Sequence, residues 1–201
     1  MPEVKQIVAN KDGASSGFSV SAGYALGVPG TLYGVIYADP PWSYENGGSQ
    51  GGIGKEYPTM TDAEICALPV RDIAAKNSVL YMWATMPRLE VAFDVIRAWG
   101  YTYKTGAAWD KQRLGIGYWF RGQHELLLVG TRGKVSPPPS DLRISSVIKC
   151  KSGLHSRKPD YVRDRIAAWF PDVPRLEMFT RTKRPGWDAF GNQVEHDLLS
   201  A

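Results

Sequence analysis

Residues 33–42 read Tyr-Gly-Val-Ile-Tyr-Ala-Asp-Pro-Pro-Trp. The first six form an apolar run of buried-strand type. The two prolines then stop it, because each fixes its backbone and neither offers an N–H to a sheet ladder. Asp39 is therefore expected at the carboxyl end of a buried strand, on the lip of a loop. A capping box at Thr61 and Glu64 starts a helix predicted to run through Leu68. Ser78 to Ala84 reads as a second buried strand. Over 87–99, Leu89, Phe93, Ile96 and Trp99 recur at helical spacing, with Pro87 near the start and Gly100 just past the end.

Further strands are predicted at 101–109, 124–130 and 145–149, a helix at 160–169 opened by Pro159, and a last strand at 176–179. Strands alternating with helices over short connections define an α/β class, a mostly parallel central sheet with helices on both faces. Ligands in such sheets bind at the carboxyl ends of the strands. No linker or repeat divides the chain. Residues 1–30, small, polar and glycine- and serine-rich, are expected as a loosely packed lead-in, and 31–201 as one domain.

The chain of 201 residues carries a formal charge of +4. Between Arg143 and Arg184, eleven Lys/Arg face four acids (Asp160, Asp164, Asp172 and Glu177), a surplus larger than that of the whole molecule. This suits a polyanionic partner, although a solvated helix face accounts for part of it. Cys66 and Cys150 form no framework, and His124, His155 and His196 lie too far apart in sequence to suggest a metal site. No apolar run is long enough to span a bilayer and the amino terminus lacks a signal-peptide core, so an intracellular protein without membrane contact is expected.

The Asp39–Trp42 turn carries chemistry. The exocyclic amine of adenine is a poor nucleophile, its lone pair drawn into the ring. Two acceptors on its two N–H groups favour the pyramidal form that can attack a methyl group. Asp39 can supply a carboxylate oxygen and Pro40 a backbone carbonyl, while Pro41 adds no competing donor. Trp42 offers a ring for the base to stack on, an interaction worth about 1–3 kcal/mol. A rigid exit turn without chemistry is the plain alternative.

Asp-Pro-Pro-Trp followed by Tyr57-Pro58-Thr59-Met60, GYWFRGQHELLLVG (117–130), HSRKPD (155–160), RLEMFTR (175–181) and PGWDAFGNQ (185–193) resembles the MT-A type adenine-N6 methyltransferases, which act on RNA in eukaryotes and on DNA in bacteria and phages. The resemblance spans about 33–193 and implies a Rossmann-like methyltransferase fold whose catalytic motif precedes the main cofactor segment. It implies S-adenosylmethionine as cofactor, held by Asp39, Lys158, Glu177, Phe179, Arg181, Asn192 and Gln193, with Tyr57 at the mouth of the base pocket. A nucleic-acid substrate is expected, DNA before RNA, with a homodimer or a partner subunit possible.

From the residues alone, Glu177 can equally pair with a neighbouring arginine, Phe179 can be core, and Lys158 can face solvent. His124 and Glu125 precede a buried strand, and the histidine reads as structural rather than catalytic. Two loops are expected to hold nucleic acid: 43–56, with five glycines, and 111–121, with Arg113 and Arg121. Arg143, Lys149, Lys151 and Arg157 extend them as a basic stripe that can track phosphates. A phosphate-binding loop is excluded, because Gly54-Lys55 is followed by Glu56 and Ser49 stands where the first glycine belongs. A cytosine-carbon methyltransferase is unsupported, since Cys66 follows Ile65 and Cys150 follows Lys149. The rival from another class is a non-catalytic nucleic-acid-binding partner subunit with the same fold.

Overall fold

The computed structural model describes residues 26–44, 59–151 and 157–191. Numbered along the chain, its strands are β1 (Tyr33–Ala38), β2 (Ala74–Ala84), β3 (Thr102–Asp110), β4 (His124–Arg132), β5 (Val147–Lys149), β6 (Arg175–Met178) and β7 (Asp188–Phe190). Its helices are α1 (Asp62–Ala67), α2 (Val70–Ile73), α3 (Leu89–Ala98) and α4 (Asp160–Trp169). The strands form one sheet in the order β5-β3-β4-β2-β1-β6-β7. β4 runs antiparallel to both its neighbours, and every other pairing is parallel. The carboxyl ends of the six parallel strands and the amino end of β4 therefore share one edge.

The period-2 alternation of strand side chains splits the core into two layers. Ile36, Leu80, Met82 and Leu176 face α1 and α3, meeting Ile65, Val95 and Ile96. Val35, Tyr37, Tyr81 and Trp83 face α4, meeting Val162 and Ile166. Helices thus cover both faces, as an α/β sheet requires. β1 is buried on both, which explains why its sequence is an unbroken apolar run.

Thr61 caps α1 as expected: its hydroxyl accepts from the Glu64 N–H (3.3 Å) and Glu64 accepts from the Thr61 N–H (2.8 Å). Just before it, Met60 N–H donates to the Pro41 carbonyl (3.0 Å), tying the helix entry to the proline turn. Several elements differ from expectation. β2 starts at Ala74 because Lys76 and Asn77, though polar, lie at its exposed beginning. The helix expected over 87–99 opens as a 3-10 turn, Met86–Arg88, before α3. The last expected strand ends at Met178, since Phe179 turns to φ +64°. α2 and β7 had no sequence signal of their own. Of the expected lead-in, residues 1–25 lie outside the described residues, whereas Leu26 is buried in the first core layer. Among the described residues no helix is long and apolar enough to cross a membrane.

Candidate active site

The Asp39–Trp42 turn leaves β1 at the centre of the carboxyl edge. Ala38 is held between Met82 of β2 and Met178 of β6. Asp39 emerges with its side chain 41% exposed, the only one of the four turn residues to carry a charge. Trp42 N–H folds back onto the Pro40 carbonyl (2.9 Å), a γ-type turn that uses one of that oxygen's two lone pairs and leaves the other. Trp42 itself is only 6% exposed. Its ring lies in the first core layer and its ring N–H donates to the Trp83 carbonyl (3.3 Å). The turn is thus anchored by the same tryptophan that was expected to present an open stacking face.

Asp39 is the first member of a chain of alternating charges. Lys158, immediately before Pro159 and α4, donates to Asp39 Oδ2 at 2.7 Å. The same ammonium lies 3.2 Å from Glu125 Oε2 at the start of β4, and 5.9 Å from the centre of the Trp83 ring. Lys111, just beyond β3, donates to Glu125 Oε1 at 3.0 Å. Burial pushes the Asp39 carboxyl above the usual range, and Glu125 adds to the rise, while Lys158 holds it back. Burial opposes ionisation of Glu125 too, but Lys158 and Lys111 outweigh it and hold its carboxyl below the usual range. Burial disfavours the charge on Lys158, yet its two carboxylates raise it. The arrangement therefore keeps Glu125 and Lys158 charged and leaves Asp39 the more easily protonated of the two carboxylates. Lys158 does not face solvent, being 14% exposed. Glu125, to which the sequence assigned no role, lies within this cluster. Its signal was its place, opening a strand whose first residues reach the carboxyl edge.

Glu177 sits one strand over, paired with Tyr37 in the sheet. It faces the buried Arg163 of α4, whose Nη1 lies 3.7 Å from Oε1. Burial raises the Glu177 carboxyl, against the charges of Arg163 and Arg184. Its Oε2 is buried and has no hydrogen-bond partner among the described residues. A buried acceptor of this kind is costly, and a hydroxyl-bearing ligand relieves it. Phe179, half-buried, packs edge-on against Phe190 with ring centres 6.2 Å apart. Arg181 lies near enough to Asp39 to favour its charged form. Gly191 closes this side: a Cβ there would stand 1.9 Å from the Thr180 carbonyl oxygen, so only glycine lets the exits of β6 and β7 come together. Asn192, Gln193 and Tyr57 lie outside the described residues, as does most of the glycine-rich loop.

Of the expected nucleic-acid contacts, Arg113 and Arg121 are exposed on the connection between β3 and β4. Arg121 Nε donates to the Gly115 carbonyl (3.0 Å). Lys149 ends β5 beside Asp110, exposed, and Lys151 follows it. Arg143 donates to the Pro138 carbonyl (2.9 Å), and Arg157 is paired with Asp160, so these two are tethered. Arg121 is tethered in the same way as Arg143, so the stripe is concentrated in Arg113, Lys149 and Lys151, all on the edge that carries Asp39.

Residues 33–193 match the MT-A70 family, and the chain belongs to that family of adenine-N6 methyltransferases. It is 33% identical over 191 residues to the type II methyltransferase M.MunI of a Mycoplasma species, covering 86% of this chain and 82% of that protein. It is 28% identical to the N(6)-adenosine-methyltransferase MT-A70-like protein of Drosophila melanogaster, over 81% of this chain and 27% of the fly protein. With the human N(6)-adenosine-methyltransferase catalytic subunit METTL3 the identity is 27%, over 81% of this chain and 28% of METTL3. The chain therefore spans most of the bacterial relative but little more than a quarter of these eukaryotic ones.

Proposed function

We propose that this protein transfers the methyl group of S-adenosylmethionine to N6 of adenine in DNA. The observation that carries the reading is the Asp39 carboxylate, half-exposed at the sheet's carboxyl edge, with Lys158 donating to Oδ2; in this reading Oδ1 receives a substrate N–H. The remaining lone pair of Pro40 supplies the second acceptor. Together they engage both N–H groups of an adenine amine, so that the nitrogen lone pair is turned out of the ring. Lys158 holds the carboxylate in place and ionised, and Glu125 and Lys111 hold Lys158. Positioning is the main source of acceleration here. The proton leaves to solvent after transfer. Trp42 acts by fixing the turn, with a narrow exposed margin for base contact.

The residues of the β6–β7 side fit the cofactor. Glu177 Oε2 suits a ribose hydroxyl, Phe179 and Arg181 flank the same corner, and Asn192 and Gln193 follow Gly191 directly. When bound, S-adenosylmethionine supplies an electrophilic sulfonium methyl. DNA is favoured because the chain matches M.MunI over most of both proteins. An intracellular location goes with that substrate. The test is direct: purified protein, methyl-labelled S-adenosylmethionine, and matched double-stranded DNA, single-stranded DNA and RNA, followed by digestion to nucleosides. Label in N6-methyladenine from DNA supports the reading. Label confined to RNA corrects the polymer. No label and no cofactor binding make the chain a catalytically silent partner subunit.

A further inference from the structure

The connection from β3 to β4 carries a feature that methyl transfer does not use. Ile116, Tyr118, Trp119 and Phe120 are 91%, 96%, 94% and 87% exposed, an unusual concentration of apolar surface at one loop tip. The tip is braced. Lys111 N–H donates to the Gln123 carbonyl (2.9 Å), and Gly115 N–H donates to the Gly122 carbonyl (2.7 Å). Gly122 N–H returns to the Ile116 carbonyl (3.3 Å), and Arg121 closes on Gly115. A Cβ on Gly117 would stand 2.0 Å from the Phe120 carbonyl oxygen, so the turn needs glycine there. Its root joins the active site through Lys111 and Glu125. Six residues of arm separate Lys111 from the tip, a reach of at most about 20 Å.

We propose that this tip is a wedge: Tyr118, Trp119 and Phe120 enter the base stack of a double-stranded nucleic acid and open it beside the target adenine. The proposal rests on the adenine-methyltransferase reading and goes further, to a duplex substrate. Charge decides between a duplex and a second copy of the chain. The loop carries Lys111, Arg113 and Arg121 and no acid from 111 to 122, and Lys149 and Lys151 lie on the same edge. An isologous contact would set this cluster against its like, whereas a phosphate backbone complements it. Aromatic side chains gain from stacking on bases of any sequence, and a base must leave its stack before chemistry can reach it.

The test compares the wild-type protein with the Tyr118→Ser/Trp119→Ser/Phe120→Ser variant, both checked for the same unfolding temperature. Closed circular DNA is relaxed by a topoisomerase in the presence of each. The wild type should leave unwound topoisomers in proportion to bound protein, and the variant should bind through Arg113, Lys149 and Lys151 yet leave none. Methylation of a long mixed-sequence duplex should fall roughly tenfold or more in the variant, and methylation of the same DNA heat-denatured should change little. Equal losses on both forms, or equal unwinding by both proteins, overturn the wedge. A wild-type dimer that the variant converts to a monomer assigns the tip to a second copy and also overturns it. Unwinding without methylation of any polymer leaves the wedge standing and removes the catalytic reading beneath it.

Discussion

Lys158 neutralises two carboxylates at once, and this shapes what each substitution should do. Changing Lys158 to Met leaves Asp39 and Glu125 facing each other without a cation between them. Breaking the buried Lys158–Glu125 pair in this way costs about 3 kcal/mol or more, measurable by urea unfolding. The variant should also change the pH dependence of turnover. Asp39 already protonates above the usual carboxylate range, so activity falls on acidification sooner than for an ordinary aspartate. Without Lys158 that acid limb should move higher still; an unmoved limb would show that Lys158 does not hold Asp39 ionised. Asp39→Ala should abolish turnover and leave cofactor affinity within a few-fold, read by isothermal titration. Glu125→Gln behaves differently, because the folded-state carboxyl is depressed. Its contribution is present above the unfolded-state value and is lost as pH falls through the folded one. The variant should therefore cost about 1–3 kcal/mol at neutral pH. The gap from wild type should close as the pH is lowered through and below the usual carboxylate range. A gap independent of pH would mean that packing, not charge, is what Glu125 supplies.

Strands and helices were legible where one residue pattern sufficed to specify them. β1 and α4 match the expected bounds, because a doubly buried strand is all apolar and a helix after proline has a clear start. α1 was legible from its capping box alone. β7 was not, since Asp188-Ala189-Phe190 has no run to read and forms only because β6 offers it an edge. Phe179 was read as the end of a strand, but its left-handed backbone is a demand of the β6 exit that no side-chain pattern announces. The turn proposed to supply the acceptors, Asp39 and Pro40, was visible in four residues. The cluster around it was not, because Lys111 and Lys158 come from two connections and Glu125 from the start of β4, well separated in sequence. The same exits make a prediction at this scale. Gly191→Ala forces a methyl group into the Thr180 carbonyl and must part β6 from β7. Overpacking of about 1–3 kcal/mol there should weaken S-adenosylmethionine binding roughly 5- to 150-fold, by isothermal titration. It should leave DNA affinity within a few-fold, and unchanged cofactor binding would remove this corner from the cofactor site.

At the scale of the molecule, sheet topology sets where charge can act. The sequence pattern called for a mostly parallel sheet but could not show which strand is reversed, because alternation of side chains is the same in either direction. The reversal of β4 matters for basic residues. It carries His124 and Glu125 to the edge with Asp39, and it sends Arg132, followed by Lys134, to the far edge beside Lys76 and Asn77. Both edges are therefore basic, and net charge alone does not say which one meets DNA. The two can be separated by salt. A lysine or arginine that contacts a phosphate releases counterions, so replacing it lowers the slope of log affinity against log salt by about one. Arg113→Ala, Lys149→Ala and Lys151→Ala should each weaken binding to any DNA sequence and flatten that slope. Lys76→Ala and Lys134→Ala, on the opposite edge, should do neither. If the far-edge pair moves the slope and the near-edge set does not, the nucleic acid lies on the wrong side of the sheet for Asp39 to reach it.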